Sequence, residues 1–204
     1  NVSRPADDDM NPASPAAAPY PAARLSSFYF FYYAVLGAFT PYWSLYLESR
    51  GLGVAAISVL MSLWYATRIV SPSLWTTLAA RSARPIRWLH AGCALAVGCF
   101  AFFLLPLEHA GLFAVMLGFC FTYNAVMPQF ESITMSHLGA HSDRYGLIRV
   151  WGSIGFIVVV ASFGWLIDER RFGVGALPWL MLPLLVCVVG WALASTNHGR
   201  VGGS

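Results

Sequence analysis

Six long apolar segments are the feature that most constrains how this chain can fold. They cover residues 27–47, 54–80, 86–105, 111–136, 145–167 and 175–195. About 20 apolar residues in a helix span the hydrocarbon core of a bilayer, and lipid cannot satisfy an open backbone. The segments lack the two-residue alternation of a membrane barrel. The sequence therefore predicts an all-α membrane protein with six transmembrane helices.

Composition and charge exclude other classes of protein. Hydrophobic residues make up 58% of the chain and charged residues only 10%, whereas about 25% is typical of soluble proteins. The 12 basic residues are all arginines, and a net charge of +3 spread over the whole chain is not the basic patch of a nucleic-acid-binding protein. The four cysteines lie in apolar segments without metal-site or redox spacing, so they are interpreted as small hydrophobic residues. Membrane lipid is the expected environment, and no nucleic acid is expected as a partner.

Polar segments flank the six apolar ones. Residues 1–24 are rich in Pro and Ala and contain an acidic run at Asp7–Asp9, without the basic and apolar regions of a signal peptide. They are predicted to be a disordered cytoplasmic tail. Residues 25–195 are predicted to form one six-helix bundle, and residues 196–204 a second cytoplasmic tail or a linker stub.

Arginine placement predicts the orientation of the bundle. With a cytoplasmic N-terminus, three arginines lie in outer loops, at positions 50, 170 and 171. Eight lie on the inner side, at positions 4, 24, 81, 84, 87, 144, 149 and 200. Because cytoplasmic loops carry an excess of arginine and lysine, both termini are predicted to be cytoplasmic.

Three charges fall clearly inside the predicted helices: Arg68, Glu131 and Arg149. A charge in the membrane is costly, so it usually faces a cavity or a partner. At 1.5 Å per residue, Glu131 and Arg149 lie roughly 8 Å and 6 Å from the cytoplasmic ends of their helices, and Arg68 lies roughly 18 Å from its own. Glu131 and Arg149 therefore share a depth and are predicted to meet, whereas Arg68 is less well placed to neutralise Glu131.

Polar and small side chains recur at helical spacing around these charges. Asn124, Pro128 and Glu131 form one stripe, and Arg149 and Ser153 begin a second. A third stripe in the first segment includes Tyr33, and together the three are predicted to line one cavity. The predicted solute-binding residues are Glu131, Arg149, Asn124, Arg68, Ser153 and Tyr33. Three alternatives stay open: a purely structural Glu131–Arg149 pair, a structural role for Arg68, and close helix packing by Ser153 and its neighbouring glycines.

Two motifs resemble those of a known family. Residues 28–43 (FYFFYYAVLGAFTPYW) resemble helix one, and residues 145–156 (YGLIRVWGSIGF) resemble the fifth-helix signature, of major facilitator superfamily transporters. The similarity is to the phenylpropionic-acid-transporter-like branch and to the lactose-permease-type proton symporters. Together with Pro128–Glu131, the matches extend over most of residues 25–195.

The resemblance implies a function and an architecture. In the lactose-permease type, a glutamate at the end of helix four and an arginine in helix five bind the sugar, and they match Glu131 and Arg149. The family has twelve helices in two halves, so the chain is similar to the N-terminal half, and a C-terminal six-helix half is the implied partner. The implied activity is secondary transport at the bacterial inner membrane, by proton symport of a small organic solute such as an aromatic acid, sugar or nucleoside. No cofactor is implied.

One segment departs from the family pattern, and one other class of function competes. The loop between helices two and three usually contains an aspartate, whereas residues 78–84 (LAARSAR) keep arginines and lack it. The alternative function is a six-helix membrane subunit or membrane enzyme without transport activity. The sequence contains no HExxH, P-loop or GxSxG motif, and no carbonyl-type channel filter, so we expect that the protein is not an enzyme or a channel.

Overall fold

The computed structural model describes residues 22–168 and 172–196. Within these ranges the chain forms six long helices: α1 (Ala22–Ser49), α2 (Val54–Ala80), α3 (Pro85–Ala101), α4 (His109–Leu138), α5 (Tyr145–Asp168) and α6 (Leu177–Thr196). Short 3₁₀ turns follow α3 and precede α5 and α6. The predicted boundaries agree with these to within a few residues. The predictions for residues 1–21 and 197–204 lie outside the described residues.

The all-helical prediction is confirmed, with one difference in how apolar the helices are. Five helical segments of the described chain are long and apolar enough to cross a membrane: Val54–Ala80, Ile86–Leu104, His109–Leu138, Tyr145–Ile167 and Val174–Thr196. Helix α1 is not among them. Its sequence contains an arginine, several serines and five tyrosines, which lower its hydropathy although the helix is 28 residues long.

Helix α1 begins inside the segment that the sequence assigns to the N-terminal tail. Residues 22–24 are Ala, Ala and Arg, which are strong helix formers. The Arg24 side chain donates a hydrogen bond to the carbonyl oxygen of Ala194 at 3.0 Å. Because unpaired carbonyls at a helix C-terminus attract cations, this contact joins the start of α1 to the last turn of α6. The first turn of α1 and the last turn of α6 therefore lie at the same end of the bundle.

Helices α1 and α5 pack backbone against backbone. A Cβ at Gly155 would fall within 3.1 Å of three backbone atoms of Phe30, and a Cβ at Gly37 would lie 2.7 Å from the carbonyl oxygen of Phe156. Glycine is therefore required at both positions, since small residues allow this approach between membrane helices. Gly155 thus serves close packing, as the alternative interpretation of these glycines held.

Helices α1 and α4 instead meet through large aromatic rings. Phe28 stacks on Phe130 with centroids 3.5 Å apart, and Tyr32 stacks on Tyr123 at 4.4 Å. The two tyrosines also exchange hydrogen bonds: the Tyr32 hydroxyl donates to the Tyr123 carbonyl at 3.2 Å, and the Tyr123 hydroxyl donates to the Tyr32 carbonyl at 2.5 Å. All four side chains are buried. The hydroxyl groups of Tyr32 and Tyr123 are therefore satisfied inside the bundle.

Four of the helices contain an internal proline. Pro41 lies in α1, Pro72 in α2, Pro128 in α4 and Pro183 in α6. Proline has no backbone N–H and leaves the carbonyl four residues earlier without its helical partner, which membrane helices tolerate where other groups re-satisfy it. Two of these prolines, Pro72 and Pro128, lie in the wall of the cavity described next.

Candidate functional site

A cavity of about 240 Å³ lies among α1, α2, α4 and α5. Its wall combines aromatic rings with one carboxylate and two guanidinium groups. The lining residues are Tyr32, Tyr33, Leu36, Trp64, Arg68, Pro72, Asn124, Met127, Pro128, Glu131 and Arg149. An apolar, aromatic wall with a few convergent polar groups is typical of a site for a small molecule.

Glu131 and Arg149 form a loose ion pair at this cavity. The Arg149 Nε atom lies 3.9 Å from Glu131 Oε1, which is too long for a hydrogen bond. The Arg149 side chain is 36% exposed and the Glu131 side chain is 39% exposed, so neither is fully buried in the protein. Because the contact is loose and open, both groups keep hydrogen-bonding capacity for a polar solute.

Each partner of the ion pair is also held by tyrosines. The Tyr145 hydroxyl donates a hydrogen bond to Glu131 Oε1 at 3.1 Å. The Arg149 guanidinium carbon lies 4.3 Å from the centroid of the Tyr33 ring and 5.7 Å from that of Tyr29. Both distances fall within the range of cation–π contacts. The carboxylate and the guanidinium are therefore oriented by neighbours on α5 and α1 as well as by each other.

Arg68 brings a second positive charge to the cavity wall. Its side chain is exposed, and it makes no ion pair with any residue in the described part of the chain. From its depth in the membrane, Arg68 was predicted to be less well placed than Arg149 to neutralise Glu131. In the structure it lines the same cavity without pairing with Glu131. The described wall therefore carries two positive charges and one negative charge.

Asn124 is buried and bonded to α2. Its Nδ2 atom donates to the Trp64 carbonyl at 3.1 Å and to Thr67 Oγ1 at 3.0 Å. These two bonds use both amide protons, so the carbonyl oxygen Oδ1 is the group that Asn124 can offer to a solute. The same residue thus joins α2 to α4 and lines the cavity.

The structure brings together five of the six predicted site residues. Tyr33, Arg68, Asn124, Glu131 and Arg149 line the cavity. Ser153 is an exposed residue of α5 and is not among the lining residues. The neighbouring Gly152 faces α1 instead, because a Cβ there would lie 2.7 Å from Cδ2 of Tyr33. One step along a helix turns a side chain by about 100°, which separates the two positions.

Several lining residues and one supporting tyrosine were not among the predicted site residues. Tyr32, Trp64 and Met127 are ordinary apolar or aromatic positions in the sequence, and only the rotation of their helices directs them to the cavity. Tyr145 contacts Glu131 directly. Its position four residues before Arg149 places it on the same face of α5, which was the available signal for this contact.

Comparison with known proteins identifies the family. The model of the MFS_1 like family matches residues 22–199, which is most of the chain. The chain belongs to this family. The resemblance to the major facilitator superfamily is thereby confirmed, and the chain is a multi-pass membrane protein of a transporter family.

Curated relatives bear the names of transporters. The chain is 31% identical over 148 residues to the maltose permease of Geobacillus stearothermophilus, a match that covers 72% of this chain and 38% of that protein. It is 29% identical over 171 residues to the probable 3-phenylpropionic acid transporter of Escherichia coli (strain K12), covering 82% of this chain and 44% of that protein. The chain thus spans less than half the length of these relatives. No solved structure matches it significantly.

Proposed function

We propose that this chain forms one wall of the solute site of a secondary active transporter. The observation that carries the proposal is the cavity in which Glu131, Arg149 and Arg68 converge with aromatic rings. A carboxylate and a guanidinium offer a polar solute both acceptors and a planar fork of donors. The family membership and the transporter names of the relatives support the same function.

The solute in this proposal is a small organic molecule with a ring and polar substituents. Tyr32, Tyr33 and Trp64 provide aromatic surface for the ring, and the charged groups provide its polar contacts. An aromatic acid, a sugar and a nucleoside all fit this description. The charge of Arg68, which forms no ion pair within residues 22–168 and 172–196, favours the acid. A proton is the proposed coupling ion. The Glu131 carboxylate in the described cavity wall is the acidic side chain that supports this choice.

A second six-helix half is the proposed partner. Transporters of this type hold the solute between two halves and alternate access by rocking one against the other. The cavity is lined by α1, α2, α4 and α5, which in this proposal form one wall of the site. The length of the relatives supports a second half, since each is more than twice as long as its match to this chain.

Uptake by the full-length gene product in liposomes tests the function. Radiolabelled 3-phenylpropionate and maltose are suitable probes because they correspond to the names of the two relatives. With an inward proton gradient, one probe is expected to accumulate saturably and to leak out when a protonophore is added. Liposomes without protein are the control. Equal counts in both preparations for both probes would contradict the proposal.

We also propose that the protein lies in the bacterial inner membrane with both termini in the cytoplasm. The Arg24–Ala194 contact supports a common side for the two ends, and the arginines of the 81–87 loop favour the cytoplasm. In a background without native cysteines, Ser82→Cys should be protected from a membrane-impermeant maleimide added to whole cells. His109→Cys should be labelled. The reverse pattern would contradict this orientation.

A further inference from the structure

We propose that Tyr33 and Gly152 act together as a positioning pair for Arg149. In this arrangement the Tyr33 ring rests on the bare backbone of Gly152 and holds the Arg149 guanidinium beside Glu131. The consequence for solute affinity rests on the function proposed above. The arrangement itself rests only on the packing of α1 against α5.

The Tyr33 ring contacts two residues of α5, Arg149 and Gly152. Arg149 and Gly152 are three residues apart on α5 and therefore lie on one helix face. The guanidinium carbon of Arg149 lies 4.3 Å from the Tyr33 centroid, while a Cβ at Gly152 would lie 2.7 Å from Cδ2 and 3.2 Å from Cγ of the same ring. The ring thus fills the space that a side chain at position 152 would need.

An added methyl group forces the ring to move, because it would lie 2.7 Å from Cδ2. Cδ2 is bonded to Cγ, close to the root of the side chain, so relief requires a change in the side-chain torsions of Tyr33 or a shift of the helix. A shift of α5 away from α1 would open the close backbone contacts of Gly155 with Phe30 and of Gly37 with Phe156, which lie on both sides of Tyr33. A methyl group at position 152 is therefore expected to push the ring off the guanidinium.

The ion pair alone does not fix Arg149. Arginine has a long, flexible stem, and at 3.9 Å its Nε does not form a hydrogen bond with Glu131. The second aromatic contact, to Tyr29, is longer at 5.7 Å. Of these two rings, Tyr33 therefore lies closer to the guanidinium. Tyr33 and Gly152 act through Arg149, which is the group that contacts the solute.

Arginine modification measures this positioning without any solute. We would treat the full-length protein in nanodiscs with phenylglyoxal and quantify adduct formation at Arg149 by mass spectrometry of its peptide. Gly152→Ala and Tyr33→Ala should each accelerate modification of Arg149 by about two- to fivefold, the factor that corresponds to one lost cation–π contact. Tyr33→Phe keeps the ring and should keep the protection.

A matched control and a double variant separate positioning from damage. Gly146→Ala adds the same methyl group to α5 at a position with nothing within 4 Å, and it should leave the rate unchanged. Because Gly152 is inferred to act through the ring, the Gly152→Ala, Tyr33→Ala double variant should match Tyr33→Ala. Additive acceleration in the double variant, or Gly152→Ala at the control rate, would overturn the proposal.

Transport provides the second readout. For the probe that is transported, Gly152→Ala should raise KM by the same two- to fivefold with little change in kcat, because the substitution weakens a binding contact. A loss confined to kcat would overturn the positioning role.

If the unsubstituted protein transports neither probe, the proposed function fails, while the modification rates of Arg149 still test the positioning role of Tyr33 and Gly152. If Gly152→Ala does not yield folded protein, the modification rates of Arg149 in Tyr33→Ala and Tyr33→Phe are compared instead. Equal rates in these two variants would overturn the proposal.

Discussion

Glu131→Gln or Arg149→Leu in the full-length protein is expected to reduce solute binding by about 100-fold or more. Each substitution removes one side of the ion pair at the cavity and the charge-assisted hydrogen bonds that this side offers to the solute. Two such bonds are worth about 1.5–3 kcal/mol each, and about 1.4 kcal/mol corresponds to a tenfold change in affinity. Equilibrium binding of the radiolabelled probe to purified protein measures the effect.

Two further variants control this experiment. Glu131→Asp keeps the charge on a shorter side chain and should retain part of the affinity. Cys187→Ala changes a half-buried position on α6, away from the lining residues, and should bind like the unsubstituted protein. Full affinity in both Glu131→Gln and Arg149→Leu would mean that the pair is a structural link between α4 and α5.

Residues 1–204 expressed alone are expected not to accumulate solute. Four helices of this chain line the cavity, and in the proposed mechanism alternating access requires a facing half that encloses the solute and rocks against them. Without that half, the charged wall meets lipid or water, and an unpaired polar surface in the membrane is costly. Uptake of 3-phenylpropionate and maltose under a pH gradient should therefore equal that of empty liposomes.

The full-length protein prepared in the same way is the positive control for this prediction. Poor stability or nonspecific association of the 204-residue chain in detergent is expected for the same reason. Saturable, gradient-driven uptake by residues 1–204 would show that two copies of this chain assemble into a transporter. In that case the requirement for a separate second half would be wrong.

The helices and the central ion pair were predictable because both follow from distances along the sequence, namely the length of an apolar run and the position of a charge within it. The length of an apolar run determines whether a helix can cross the bilayer. The rise per residue places Glu131 and Arg149 at one depth, and the structure brings them to 3.9 Å. Asn124 follows from its spacing of seven residues before Glu131, which is close to two helical turns.

The rest of the site depends on helix rotation and on how closely helices approach. Ser153 and Gly152 are both small residues near Arg149, and the sequence does not show which of them faces α1. The packing of α5 against α1 determines that Gly152 faces Tyr33. The contact of Tyr33 with Arg149 could not be predicted from the sequence either, because a tyrosine on a helix face can line a cavity, pack in a core or cover an arginine. These outcomes are set by packing between helices far apart in sequence.

The prolines of α2 and α4 change the hydrogen bonding of the backbone beside the cavity. Pro72 and Pro128 lack an N–H, so each deprives a backbone carbonyl, that of Arg68 and that of Asn124 respectively, of its helical hydrogen bond. Both prolines lie in the cavity wall. Alanine at position 72 or 128 restores the missing N–H, so in an alanine scan of the lining residues these two positions change the backbone hydrogen bonding of a helix as well as a side chain.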